Sequence, residues 1–521
     1  MMAPAKTSGK VPRTDPYAKL IHRFYEPLIL SRVLGQTRGK HTSAPQNDER
    51  HSSRRRLLSN LAYLCDYDKG GDMTSSVALE DNDQCHVFWV ASNTPRAGNK
   101  NLEFLKLSLK KIHCIIITPG KEQRSDLEDE FTRACINFAE HRVKKEAKLL
   151  SKAIRDCQRD IDRDAYPQLA TWLKQFVSNK EVVAVDICFK AYGQRKASEL
   201  RLLDNITHSG NGNTSRRKSA NVFGGVRHLL GRLAHHVRAP KEVIEDSLEL
   251  DYLFDPHQVC LVMPPPSNPR PRADSHTKLD GILKRMLPAN DPQLKEYTEA
   301  LASLDRMFQL TQRVRNEYEN DSQPRIHAEI QILEHFCANK LRYVGNDPYI
   351  GCSKPACYCC HLYFQHHRSR PVQPESHQKI YLNWGVPELA DGSKDPGYIT
   401  QRDLMNKMLE TIRKDALAQI IQKAGPLKWH PDSLTGITVS TRALPADRAH
   451  LAGNALEREL TNSSDDSGIP EDSSATGSQT VEESNSPSLN NDDSSNFESQ
   501  DELVNGLDSD SVFDSEGGVS M

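Results

Sequence analysis

Four side chains in this sequence have the types and spacing for metal-assisted hydrolysis: His327, Glu329, Cys357 and Cys360. They lie in RIHAEIQILEHF (325–336) and YIGCSKPACYCCHLYF (349–364), with 27 residues between Glu329 and Cys357. Two thiolates three residues apart share one helical face, and with an imidazole they form a donor set for tetrahedral Zn²⁺ that leaves one position open. Zinc in such a site lowers the pKa of water from ~16 to about 7. A carboxylate beside the open position can take the water proton and pass it on. Glu329 is placed for that role.

These residues need particular elements to meet. Ile326, Ile330, Leu333 and Cys337 recur at helical spacing, and Pro324 stands just before them. His327 and Glu329 therefore fall in the opening turn of a helix. Two residues apart, their side chains diverge by about 200°, so they serve one centre only if it sits off the helix end. Unpaired N–H groups and the positive end of the dipole favour anions there. Tyr349–Cys352 reads as a short buried strand, and Ser353 and Pro355 as the start of a second helix carrying Cys357 and Cys360. Helix, strand, helix in that order puts both helix starts at one edge of a sheet. Either motif alone is common, but their combination with a strand and a helix between them is specific. A His-x-Glu followed by Cys-x-x-Cys is the pattern of zinc-dependent nucleobase deamination, in which hydroxide attacks C4 of cytosine or C6 of adenine.

With SHQKIYLNW (376–384) downstream, HAEIQILEHF and YIGCSKPACYCC resemble the OTT_1508-like deaminases, a family common in fungi within the cytidine deaminase-like superfamily. The resemblance covers about 325–390. It implies a three-layer α/β/α deaminase fold, bound Zn²⁺, and a nucleobase substrate that is free or carried in a nucleotide, RNA or DNA. It carries over His327, Cys357 and Cys360 as zinc ligands and Glu329 as acid/base. Ser353, Lys354 and His377 match recurring family positions and are candidate pocket residues. Ala356 stands where many superfamily members have proline, with Pro355 one place earlier. The hairpin that precedes the His-x-Glu helix in the superfamily has no counterpart in the charged helical pattern of 293–319. Its strands are expected from upstream, with 182–189 and 258–263 proposed.

Blander readings stand beside these. A purely structural zinc site would take Cys352 or Cys359 as a fourth ligand, leaving Glu329 as a capping carboxylate. The chain would then be a non-enzymatic interaction or nucleic-acid-binding protein. Cys359 points away from the Cys357–Cys360 face and reads as a buried apolar thiol. His377 reads equally as a base contact or a turn residue, and Trp384 as core rather than a stacking platform. His235-His236 and His366-His367 read as surface, and Arg54-Arg55-Arg56 and Arg216-Arg217-Lys218 as solvated loops.

The rest of the chain bounds these readings. It has 521 residues, 37% hydrophobic and 26% charged, with twelve cysteines and no apolar run long enough for a membrane span. The first residues lack a secretory apolar core, so the expectation is a soluble intracellular protein, cytoplasmic or nuclear, whose thiols stay reduced. Residues 461–521 hold fifteen Asp and Glu and no Lys or Arg, which leaves 68 basic against 55 acidic groups in 1–460. That body admits a polyanion without demanding one. The expected division is a disordered leader (1–15) and a mainly helical region (16–263) able to donate strands. A Pro-rich seam (264–292), an α/β deaminase-like domain (293–445) and a disordered Ser/Asp/Glu-rich tail (446–521) follow. Within the helical region, 57–64 reads as a buried helix and 207–221 as a flexible insert. The oligomeric state is not legible.

Overall fold

The computed structural model describes residues 15–43, 51–160, 166–177, 182–209, 214–320 and 323–425, without the side chains of 160, 207–209 and 214–221. The expected leader, Asp15 excepted, and the expected tail lie outside the described residues, as do the side chains of Arg216-Arg217-Lys218.

Helices α1 (Pro16–Leu34) and α2 (Ser52–Cys65) lead into a hairpin of β1 (Ser75–Asp81) and β2 (His86–Ser92). Seven helices follow: α3 (Pro95–Ile117), α4 (Lys121–Phe138), α5 (Glu140–Asp160), α6 (Pro167–Lys174), α7 (Ala184–Gly193), α8 (Ser198–Ser209) and α9 (Thr214–Glu249). Strand β3 (His257–Leu261) precedes α10 (Leu279–Met286), α11 (Leu294–Phe308) and α12 (Leu310–Glu319). The chain then runs through α13 (Ala328–Asn339), β4 (Gly351–Cys352), α14 (Tyr358–His366) and α15 (Tyr398–Ile421). The protein is thus mostly helical around one small mixed sheet, ordered β3-β2-β1-β4. β1 runs antiparallel to β2 and β4, and β2 parallel to β3. All described residues fall in one compact unit, and no helix among them is long and apolar enough to cross a membrane.

The hairpin corrects the expected source of the strands. β3 covers 258–261 of the proposed 258–263, but 184–189 of the proposed 182–189 lie in α7. Its β-branched content reads as strand, yet Ala184, Cys188 and Ala191 are its buried residues, at helical spacing. The strands that flank the site come instead from 75–92, within a stretch expected to be helical. β1 is buried along six of its seven residues, so it lacks the alternation by which a strand is recognised. Part of the flexible insert expected at 207–221 is helical: α8 runs to Ser209 and α9 starts at Thr214, a basic run being compatible with a helix, while 210–213 lie outside the described residues.

Both faces of the hairpin are covered. Val77, Leu79, Phe88 and Val90 enter one hydrophobic cluster with residues of α2, α3, α4 and α9. Ala78 and Ala91, on the opposite face, join a second cluster with α1, α13, α14 and α15. The period of two along each strand assigns these residues to opposite sides.

The Arg54-Arg55-Arg56 run is not solvated. Arg54 and Arg55 both pair with Asp347, and Arg56 grips Asp246 with two bonds of 2.5 and 2.8 Å. These pairs tie α2 to α9 and to the turn before β4. Close to that turn, β4 is pressed against α2. A Cβ on Gly351 would lie 2.4 Å from the Leu58 carbonyl carbon and 2.6 Å from its oxygen. Because these are backbone atoms, Gly351→Ala must move a strand or a helix, at a cost of about 1–3 kcal/mol for overpacking. A lowered urea midpoint with unchanged slope is the expected readout; an unchanged midpoint contradicts the close approach.

Candidate metal centre

Each ligand-bearing residue is an N-cap or lies in a first turn. His327 is the N-cap of α13, with extended backbone (φ −69°, ψ 149°) and no side-chain capping bond, so its imidazole is free to leave the helix axis. Cys357 is the N-cap of α14, and its sulfur accepts the Cys360 N–H at 3.4 Å. β4 lies between these helices in sequence and pairs with β1, which brings the two helix starts together. His327 Nδ1 lies 3.3 Å from Cys360 Sγ and 3.6 Å from Cys357 Sγ. One donor atom from each of these three residues lies within 4.8 Å of the others, so the group could hold a metal ion. Cys352 and Cys359 do not join it. The Cys352 thiol is engaged with Ser76 and the Ile350 carbonyl.

The hairpin sets the position of α13. Asn93, directly after β2, accepts the Ala328 N–H through Oδ1 at 2.8 Å and donates to the Gly71 carbonyl at 2.7 Å. Gln331 donates to the carbonyls of Ser92 and Ile326. These bonds satisfy a helix-start donor that would otherwise be orphaned and hold His327 in register with the sheet edge.

The electrostatics are those of a donor set prepared for a cation. Burial alone raises a thiol pKa. Cys357 nevertheless sits well below the usual range, because the Cys360 hydrogen bond and the His327 imidazolium stabilise its thiolate. Burial lowers the pKa of His327, but the adjacent Cys357 thiolate outweighs it and raises the imidazole. Burial and that same thiolate push Cys360 well up, with Glu329 adding to the effect. Metal ligation requires thiolates and a neutral imidazole, so binding to such a set depends on pH. Glu329 is 4% exposed, and its Oε2 is buried without a hydrogen-bond partner. A native carboxylate oxygen left that way calls for a missing partner. An N,S,S donor set beside a carboxylate with one unpaired oxygen fits zinc and a water.

Residues 326–388 match the family model of the OTT_1508-like deaminases. Over this segment the chain resembles that deaminase family. No curated protein and no solved structure matches the chain. The matched segment contains α13, β4, α14 and the following irregular stretch, whereas the hairpin and Asn93 that position α13 lie outside it.

The remaining candidate residues have contacts of their own. Ser353 exchanges bonds with Ser75 at the β1–β4 edge, its hydroxyl accepting at 3.1 Å and its N–H donating at 3.0 Å. Lys354 donates to the Gly70 carbonyl at 2.8 Å and stands 3.8 Å from Asp66. His377 is buried in a turn, its Nδ1 accepting the Lys379 N–H at 3.1 Å. Its ring meets Tyr381 edge-on at 5.7 Å, and Tyr381 in turn lies 6.5 Å from the His327 ring. The histidine pairs expected at the surface are corrected. His236 is buried against Glu146 at 3.2 Å, and His367 is buried against Glu334 at 3.2 Å. Charged partners on neighbouring helices took them inside, which sequence spacing does not reveal. Trp384 is core, as expected, but its indole N–H also reaches Cys360 Sγ at 3.2 Å. Sequence reading missed Asn93 as well, because 235 residues separate it from the N–H that it receives.

Proposed function

We propose that the chain is a zinc-dependent hydrolytic deaminase acting on the exocyclic amine of cytosine or adenine in a nucleotide, RNA or DNA. The observation that carries this reading is the convergence of His327, Cys357 and Cys360 beside the unpaired Glu329 oxygen. In this reading His327, Cys357 and Cys360 hold Zn²⁺, which when bound supplies Lewis acidity toward water. The Glu329 carboxylate accepts a proton from the attacking water and delivers it to the ring nitrogen and the departing ammonia. The net change is amine and water to carbonyl and ammonia. Burial of all four side chains keeps bulk water from competing. Ser353, Lys354 and His377 form the walls nearest the substrate.

The catalytic unit in this proposal is residues 293–445 completed by the 75–92 hairpin. Its cytidine deaminase-like, three-layer character is supported by a sheet with helices on both faces. Thiolate ligands are best preserved in a reducing compartment, which favours the cytoplasm or nucleus. The test is ammonia release by zinc-loaded full-length protein from a panel of nucleosides, nucleotides and single-stranded oligomers of RNA and DNA. Release from at least one cytosine- or adenine-containing member, lost on chelation and restored by zinc, is expected. No release from any member rejects the proposal.

A further inference from the structure

The two sulfurs of the donor set receive different hydrogen bonds. Cys357 Sγ takes the backbone N–H of Cys360 at 3.4 Å, which any helix start can supply. Cys360 Sγ takes the indole N–H of Trp384 at 3.2 Å, from a side chain 24 residues further on. The indole nitrogen is a donor only, and with Trp384 1% exposed it needs a buried acceptor. The sulfur is that acceptor.

Several elements fix the indole. Its ring lies 5.6 Å from Phe24 and meets Tyr363 edge-on at 6.1 Å. Tyr363 is itself held by Glu334 of α13 at 2.6 Å. The Trp384 carbonyl accepts the Tyr25 hydroxyl at 2.7 Å, across 359 residues, and its N–H donates to the Tyr381 carbonyl. Helices α1, α13 and α14 thus all contribute to the aim of a single N–H.

We propose that Trp384 is a positioning residue of the metal centre, its indole N–H fixing the Cys360 sulfur and withdrawing charge from its thiolate. The inference rests on the metal-binding reading above. A donor to a ligating atom sets that atom's orientation and the charge it gives the ion. Without the N–H, the sulfur is more electron-rich and less constrained.

The test replaces Trp384 site-specifically by a benzothiophene analogue, β-(3-benzothienyl)alanine, which keeps the bicyclic shape and lacks the N–H. The full-length protein is loaded with Co²⁺ in place of zinc, and the thiolate-to-cobalt charge-transfer band and chelator-competition affinity are read. The band should move to longer wavelength and affinity fall ~10-fold or more. Trp384→Phe should move the band in the same direction, and the isostere keeps the test valid if that variant folds poorly. A pure packing role predicts a wild-type band and affinity for the isostere, and that result overturns the proposal alone. A wild-type protein that binds Co²⁺ with no thiolate band overturns the metal-binding reading and this proposal with it.

Discussion

Under the proposed function, Glu329→Gln is expected to retain the metal and to lower ammonia release by about 10²–10⁴-fold, the range for loss of a general acid/base. The substitution preserves size and keeps the side chain polar, so the first turn of α13 and the neighbouring His327 are undisturbed. What disappears is the only carboxylate adjoining the donor set that is buried with an unpaired oxygen, among the described residues. A glutamine cannot take a proton from water at neutral pH, so proton transfer rather than substrate affinity should suffer. The expected pattern is kcat reduced with KM little changed and zinc content near one per chain by elemental analysis. His327→Ala differs in kind, because it removes a donor and should lose metal along with activity. Wild-type turnover by Glu329→Gln on a substrate found in the panel would remove Glu329 from the proton path.

The second large effect concerns stability. Glu146→Ala should destabilise the helical region by about 3–5 kcal/mol, the cost of leaving buried charges without their partner. Glu146 is fully buried and receives Arg232 at 2.8 Å, Arg142 at 3.2 Å and His236 at 3.2 Å. Removing it leaves Arg232 and Arg142 without their shared carboxylate, with Arg142 retaining Asp66 and its place over the Tyr63 ring. Burial opposes ionisation of Glu146, yet Arg232, Arg142 and His236 hold its carboxyl well below the ordinary value of 4.5. Its contribution is therefore fully present above that value and is lost as the pH falls through the lower, folded-state value. Urea midpoints from pH 7 down to pH 3 should show a steep acid limb in the wild-type chain and a flatter one in Glu146→Gln. Equal midpoints for wild type and Glu146→Ala at pH 7 would contradict this account. Asp66, which pairs with Arg142, also stands near Lys354, so disruption of this cluster should reach Lys354.

The legible and illegible parts divide along a physical line. A helix in 325–336 and a short strand in 349–352 follow from local periodicity and capping chemistry, and the tertiary structure has α13 at Ala328–Asn339 and β4 at Gly351–Cys352. The convergence of two motifs on one centre was also inferable, because a helix–strand–helix order leaves few arrangements. The hairpin was not. A strand covered on both faces carries no alternation, and Ser75–Asp81 has the composition of many buried helices. The burial of His236, His367 and the Arg54–Arg56 run was hidden for another reason. Each is drawn inside by a carboxylate on a separate element: Glu146 and Asp246 on other helices, Asp347 in the turn before β4, and Glu334 on α13.

By itself, the sequence singled out His327, Cys357 and Cys360 as the group that could hold a metal and Glu329 as the candidate carboxylate beside it, since residue type and short-range spacing point to both. Tertiary structure alone decided what holds those atoms in place: Asn93 on the first N–H of α13, Trp384 on the Cys360 sulfur, and α1 packed behind the indole. Hydrogen bonds and ring contacts across tens to hundreds of residues depend on how the chain returns on itself, and no local pattern encodes that return.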